Sequence, residues 1–239
     1  SQIDAPFLEL NSNGMNNLFS GYNPFSISLW VYGTAEALDS YGRHIIGKGY
    51  TPQFGGNPST FMFFKETYNI FSFIVYSGAN HFIKLEAMDL IDANSWNNIV
   101  LSYDGGSSIN SLKIYKNGIL QLAGPGSEIR NSYNGMNVNN EPLILGSRVK
   151  SNSLETHLSW KGEIDDVSIW DYELNPIEVL NNYQNCIDVT ENGLMLHWNL
   201  DESVGLSAND LTGNSNTGIL KNNLMWSENS FPNCSFLQT

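Results

Sequence analysis

Five aromatic residues, Tyr41, Tyr50, Phe54, Tyr133 and Trp160, fall in predicted loops or at strand edges, where a side chain could do recognition chemistry. An aromatic face is apolar enough to stack on the CH face of a pyranose ring, with Asn, Gln and Asp side chains as partners for the hydroxyls. Sugar binding is therefore the chemistry these positions suggest, and packing of long loops is their plainer role. The stretch from Tyr50 to Pro58 is long enough to serve as a binding loop. Trp30, Trp96, Trp170 and Trp198 instead lie in apolar patterns expected of a core.

Residue types that hydrolyse bonds are dispersed. His44, His81, His157 and His197 lack His-Glu-x-x-His spacing and no serine occupies a Gly-x-Ser-x-Gly elbow, so no catalytic triad is expected. Cys186 and Cys234 have no zinc-site spacing. A disulfide between them is the leading possibility, and two buried thiols the other. The bridge would close a loop of about 49 residues and, by chain entropy, add roughly 4 kcal/mol; it implies an oxidising compartment. The run from Asp210 to Asn216 has the look of an acidic calcium loop but lacks a closing bidentate Glu, so a turn held by its own side chains is expected.

Those residues need a scaffold, and composition bounds it. Across 239 residues, 24 acidic against 11 basic side chains give a net charge of −13, which disfavours nucleic-acid phosphates and anionic lipid surfaces. Neutral sugars, cations and basic partners stay open. A hydrophobic content of 41%, with 12% aromatic, is ample for a core. No apolar run reaches the roughly 20 residues of a membrane span, and Ser1–Asp4 lacks the regions of a signal peptide, so a mature or excised chain is expected.

Two-residue alternation recurs in Phe7–Leu10, Ser26–Tyr32, Ile70–Tyr76, Phe82–Glu86, Asn98–Tyr103, Leu112–Lys116, Leu143–Gly146 and Glu163–Trp170. Asn117-Gly118 is the type I′ signal of a hairpin joining Leu112–Lys116 to Ile119–Leu122. One helix is expected, near 176–184, opening at Asn175-Pro176. Many strands with almost no helix predict an all-β sandwich or barrel.

Taken in order, Phe25-Ser26-Ile27-Ser28-Leu29-Trp30-Val31, Ile45-Ile46-Gly47-Lys48-Gly49, Trp96–Asp104, Leu112–Gly118 and Gly162–Trp170 with Leu174-Asn175-Pro176 resemble the laminin-G-like jelly roll of the concanavalin-A-like lectin/glucanase superfamily, of the bacterial secreted type. The resemblance covers residues 7 to 185. It implies an all-β, two-sheet antiparallel jelly-roll sandwich and a single domain over 1–239. Residues 193–239, which look like the segment that normally opens such a domain, would complete the sandwich or start a second repeat. It further implies a secreted or cell-surface location, within a larger multidomain protein, and a polysaccharide or glycan partner. A carbohydrate-binding or adhesion module without catalytic activity is the function expected first, a structural or protein-interaction domain second, and a glycoside hydrolase or lyase a weaker third. The third fails on chemistry: Glu163 and Asp165 match the first two acids of the superfamily's catalytic strand motif, but Val167 or Ser168 stands where the proton donor belongs. By the same resemblance a structural calcium ion is expected at Asp165 with the turn Asn13-Gly14, although that turn lacks the acidic residue often found there.

Overall fold

The computed structural model describes residues 6–39, 42–49, 59–149 and 156–228. Its first strands are Phe7–Leu10 (β1), Phe25–Gly33 (β2), Arg43–Lys48 (β3), Phe61–Lys65 (β4), Ile70–Gly78 (β5), His81–Met88 (β6), Trp96–Tyr103 (β7), Leu112–Lys116 (β8) and Ile119–Leu120 (β9). Then follow Glu128–Arg130 (β10), Leu143–Leu145 (β11), Arg148–Val149 (β12), Thr156–His157 (β13), Gly162–Trp170 (β14), Leu194–Trp198 (β15), Ser207–Ala208 (β16) and Gly218–Lys221 (β17). Three short α-helices, Asn13–Leu18 (α1), Ala35–Asp39 (α2) and Pro176–Gln184 (α3), interrupt them.

The strands build two antiparallel sheets, in the orders β10-β6-β5-β4-β3-β11-β1-β17-β16 and β15-β14-β2-β7-β8-β9, with β12 and β13 as a separate pair. Alternation dictates the layering. Along β2, Ile27, Leu29 and Val31 are fully buried and face the nine-stranded sheet, whose Phe61, Phe63, Phe71, Phe73 and Val75 meet them in one core. Ser26 and Ser28 point the other way. They are buried too, but satisfied: Ser26 Oγ lies 2.8 Å from Ser102 Oγ, and Asn98 Nδ2 donates to Ser28 Oγ at 3.1 Å. That outer face holds a second cluster, Val100, Tyr115, Trp170 and Leu194, roofed by Leu174 and Val179 at the start of α3.

α3 spans the residues expected of it. Asn175 accepts from the backbone N–H groups of Ile177 and Glu178, while Glu178 reaches back to the Asn175 N–H, a reciprocal capping box with Pro176 in the first turn. The hairpin is also as expected: Asn117 and Gly118 have φ of 50° and 80°, and Lys116 pairs with Ile119. Two short helices and several strands, β4 and the short β10, β12, β13 and β16 among them, lie outside the runs read from the sequence. α1 and α2 are one-turn pieces too short to set up a helical period. β4 reads Phe-Met-Phe-Phe-Lys without alternation because both its faces are covered, Phe61 and Phe63 in the main core and Met62 in a cluster with Ile74, Tyr76 and Phe82 on the sheet's outer side.

The last fifth of the chain contributes to both layers. β15 pairs with β14 at the edge of the six-stranded sheet, and β17 pairs with β1 in the nine-stranded one. Trp198 enters the main core fully buried, and its Nε1 donates to the Asn216 carbonyl at 2.9 Å. Asp210 ties the intervening turn together, accepting from the N–H groups of His197, Thr212 and Asn216 and from Thr212 Oγ1. Replacing Trp198 with Ala should cost about 3–5 kcal/mol by emptying a fully buried site. Denaturant unfolding checks this, and a loss below about 1 kcal/mol would mean that the segment packs only loosely.

Candidate functional site

Between the two sheets, on the side where β15 stops short, lies a cavity of about 210 Å³. β15 pairs with β14 only from Val167 onward, so the first half of β14, Gly162–Asp165, borders this space. Its floor is a cross-strand row: Leu145 of β11, Leu8 of β1 and Leu220 of β17 sit directly opposite one another. Trp96, Trp160 and Ile164 wall it. Leu200 and the run from Leu224 to Ser227, including Trp226, close the outer side.

Trp160 is held by close approach of backbone. Its Nε1 donates to the Tyr32 carbonyl at 3.1 Å, and its ring packs on the strand ends where Gly33 and Gly162 pair. A Cβ on Gly162 would fall 2.1 Å from the Tyr32 oxygen, so that position needs glycine, and one on Gly33 would fall 3.0 Å from the Trp160 ring and crowd it. At the rim, Ser227 Oγ donates to Glu163 Oε2 at 2.7 Å, and Trp226 Nε1 to the Gly205 carbonyl at 3.0 Å. An apolar floor, indole faces and a carboxylate at the mouth make a site that can stack an apolar ring face and accept hydrogen bonds from its hydroxyls.

Of the aromatic positions expected to bind sugar, Trp160 lines this cavity, although only 7% of its surface is exposed. Tyr133 corrects the expectation: it is buried, its ring edge-on to Tyr22 and Tyr103 and its hydroxyl 3.0 Å from that of Tyr103, so it has no face to offer. Burial and that hydrogen bond hold the Tyr133 hydroxyl far above the usual tyrosine range. Tyr41, Tyr50 and Phe54 lie outside the described residues, as does Cys234, on which the expected bridge to Cys186 depends. Trp96 belongs to the cavity rather than to the core proper, and Trp226 was overlooked. An aromatic residue amid Asn222, Asn223, Ser227 and Glu228 meets the same loop criterion that selects Trp160.

Asp165 and the turn Asn13-Gly14 are the positions named for calcium. Asp165 borders the cavity, which meets β1 at Pro6 and Leu8, whereas Asn13-Gly14 opens α1 beyond the other end of that strand. Asp165 Oδ1 accepts from the Asp166 N–H at 3.0 Å.

Next to the cavity β14 carries a bulge. Asp165 faces Trp30 but Ser168 faces Ser28, so β14 has one residue more than its partner, and Asp166 takes a left-handed φ of 49°. The extra residue turns Val167 into the core and brings Ser168 onto the face of Glu163 and Asp165. Ser168 Oγ lies 2.8 Å from His197 Nδ1, with Asp166 Oδ1 3.5 Å from the same nitrogen. Serine and carboxylate thus meet one ring atom, which forms no relay. Burial, then the nearby Asp165 and Asp201 carboxylates, pushes Asp166 up to about 7, while burial holds His197 below its ordinary value against the pull of Asp210. With the imidazole neutral, the 3.5 Å contact is not a strong ion pair.

These groups and the fold around them define a two-sheet jelly roll of lectin type. The chain belongs to the concanavalin A-like lectin/glucanase superfamily, whose laminin-G-type model matches residues 10–180. A search of the curated proteins finds no match. Among solved structures, a Bacteroides ovatus protein thought to bind carbohydrate aligns with a TM-score of 0.61 at 15% identity over 91% of this chain, which spans 56% of that protein. The CBM40 of Ruminococcus gnavus IT-sialidase, bound to α2,3-sialyllactose, aligns with a TM-score of 0.55 at 11% identity, covering 74% of this chain and 91% of that one. The receptor-binding domain of botulinum neurotoxin mosaic serotype C/D aligns at 0.52 with 17% identity, covering 75% of this chain and 41% of that one. At such identities the likeness is one of fold.

Asp166 yields a pH prediction. Folded, its carboxyl keeps a proton to about pH 7; unfolded, only to about pH 4. The folded chain therefore binds more protons across that window, and wild-type stability falls as pH rises through it. Asp166→Asn should gain on wild type steadily from pH 4 to pH 8, by about 2 kcal/mol once partial exposure is discounted. Melting curves at several pH values test this, and a constant offset would mean that Asp166 is not proton-linked.

Proposed function

We propose that this chain is a carbohydrate-binding module without catalytic activity, working outside the cell as part of a longer protein. The observation that carries the proposal is the cavity itself, in which Trp96, Trp160 and Trp226 surround an aliphatic floor with Glu163 at the mouth. The Bacteroides ovatus protein, thought to bind carbohydrate, and the CBM40, bound to α2,3-sialyllactose, lend support as proteins of the same fold. Catalysis is argued against by the third acid position. The bulge brings Ser168, not a carboxyl, onto the strand face of Glu163 and Asp165, and Asp166, which does hold a proton near neutral pH, is not among the residues bordering the cavity. Residues 193–239 belong, in this proposal, to the same domain, because both sheets take strands from them and the cavity takes its outer wall.

A glycan array probed with the full chain, with reaction products assayed in parallel, tests the proposal. Binding without released sugar is expected. Trp226→Ala, at the rim, should weaken that binding at least ten-fold with little change in melting temperature, whereas Trp160→Ala should lower both. Release of sugar would overturn the non-catalytic assignment.

A protein-interaction role is favoured by a different observation. Ile119 of the β8–β9 hairpin, Leu122 just beyond it and Ile177 of α3 are 67%, 90% and 72% exposed, and such side chains, where they adjoin, mark contact surfaces. An empty array, together with self-association or partner binding that Leu122→Asp abolishes, would move the assignment there.

The extracellular setting carries its own test. With a Cys186–Cys234 bridge, the unfolded, unreduced chain should show no reactive thiol in a titration, and two upon reduction. Two thiols before reduction would remove the bridge and the oxidising compartment it implies.

A further inference from the structure

Lys48 is the last residue of β3, and its side chain shares a face with the core. Its cross-strand neighbours, Phe61 on β4 and Leu143 on β11, belong to the main core, and the lysine itself is fully buried. A charge placed there must be satisfied or given up. Lys48 Nζ donates to three oxygens, the Glu141 carbonyl at 2.6 Å, the Asn139 carbonyl at 3.1 Å and the Asn139 side-chain Oδ1 at 3.2 Å. Burial nevertheless pulls the amine down to about 8, against the opposing pull of the nearby Glu141 carboxylate. Such a desolvated lysine is in part a free amine near neutral pH, and a free amine is a nucleophile.

The group it faces is an amide held on both sides. Asn139 is buried, and its side-chain carbon lies one C=O bond, about 1.2 Å, beyond Oδ1. That oxygen also accepts from the Glu141 N–H at 3.1 Å, a donor that stays in place when the amine turns to attack and would stabilise an oxyanion formed there. On the other side Asn139 Nδ2 donates to Thr60 Oγ1 at 2.9 Å, whose own hydrogen goes to the Asn137 carbonyl at 2.9 Å. Gly49 leaves the amide its space, since a Cβ there would fall 2.9 Å from Nδ2. Amine and amide are therefore a reacting pair already brought together, a shift of about 1 Å from the roughly 3–3.5 Å at which such groups react.

We propose that Lys48 and Asn139 join in an isopeptide bond once the chain has folded. The amine, after giving its ammonium proton to the Glu141 carboxylate or to water, attacks Asn139 Cγ. The Cγ–Nδ2 bond breaks, the proton shed by the attacking nitrogen passes to Nδ2, and one ammonia leaves. One amide is exchanged for another, so neither oxidant nor cofactor is required. The bond ties β3 to the segment leading into β11, in the middle of the nine-stranded sheet, whatever the cavity binds.

Intact-mass spectrometry of the full chain, reduced so that any disulfide drops out of the comparison, reads the bond directly. The folded chain should be lighter than its sequence by one ammonia. Tryptic digestion should fail after Lys48 and yield a branched peptide that contains both Lys48 and Asn139. Lys48→Met and Asn139→Ala should each restore the full mass. An ammonia lost equally by Lys48→Met would come from a succinimide at an Asn-Gly step and would overturn the proposal. A folded wild type at its full sequence mass, cleaved normally after Lys48, would overturn it too, leaving the lysine an ammonium satisfied by three carbonyl oxygens. Should either variant fold poorly, the presence or absence of the branched peptide in wild type decides alone.

Discussion

The pairing of β14 with β2 is the contact on which the rest of the molecule depends. It joins strands about 130 positions apart, from Gly162 opposite Gly33 to Trp170 opposite Ser26, and so closes a long loop in the middle of the six-stranded sheet. Once it is made, Gly33 and Gly162 leave a slot for the Trp160 ring, β14 offers its second half to β15, and the chain leaving Trp170 is positioned to lay α3 over Val100 and Tyr115. The bulge at Asp166 belongs to the same pairing. It lets the first half of the strand stay paired with β2 while the second half pairs with both β2 and β15, and the cavity lies beside that first half.

Much of this architecture was legible in the sequence because a sandwich writes itself as alternation. Ser26–Tyr32 and Glu163–Trp170 announce their inner and outer faces residue by residue, and Asn117-Gly118 and Asn175-Pro176 carry their own turn and cap chemistry. What stayed hidden has physical causes. β4 lost its alternation when its second face was covered, and α1 and α2 are too brief to show a period. Tyr133 looked like a loop aromatic because it is one. Nothing in the local sequence says that its loop folds back, through the paired hydrogen bonds between Gly21 and Met136, to bury it against Tyr103.

The candidate site was half legible for a related reason. Trp160, Glu163 and Asp165 come from one short stretch, and a motif can hold them. The cavity, however, is an encounter between that stretch and residues from both ends of the chain, Leu8 on one side and Leu200 to Ser227 on the other. Sequence spacing carries no trace of such an encounter. Only the topology, which sets β1 between β11 and β17, brings Leu8 to its place beside Leu145 and Leu220.

That division matters for what the superfamily assignment can transfer. The matched region, residues 10–180, contains the strands that make the sandwich and one wall of the cavity. The floor residues Leu8 and Leu220, the rim residue Leu200 and the outer wall from Leu224 to Ser227 lie outside it. The matched strands and half of the cavity's lining therefore come from different parts of the chain. The alternating strands are constrained by the core they bury, where Phe61, Phe73 and Ile27 leave little latitude, whereas the wall segment is constrained mainly by what it must admit. Met225, 82% exposed beside the cavity, does nothing for the core. In the carbohydrate-binding role proposed above, a change of sugar specificity would be reached most directly through residues 200–227, without disturbing the strand pairing that holds Trp160 in place.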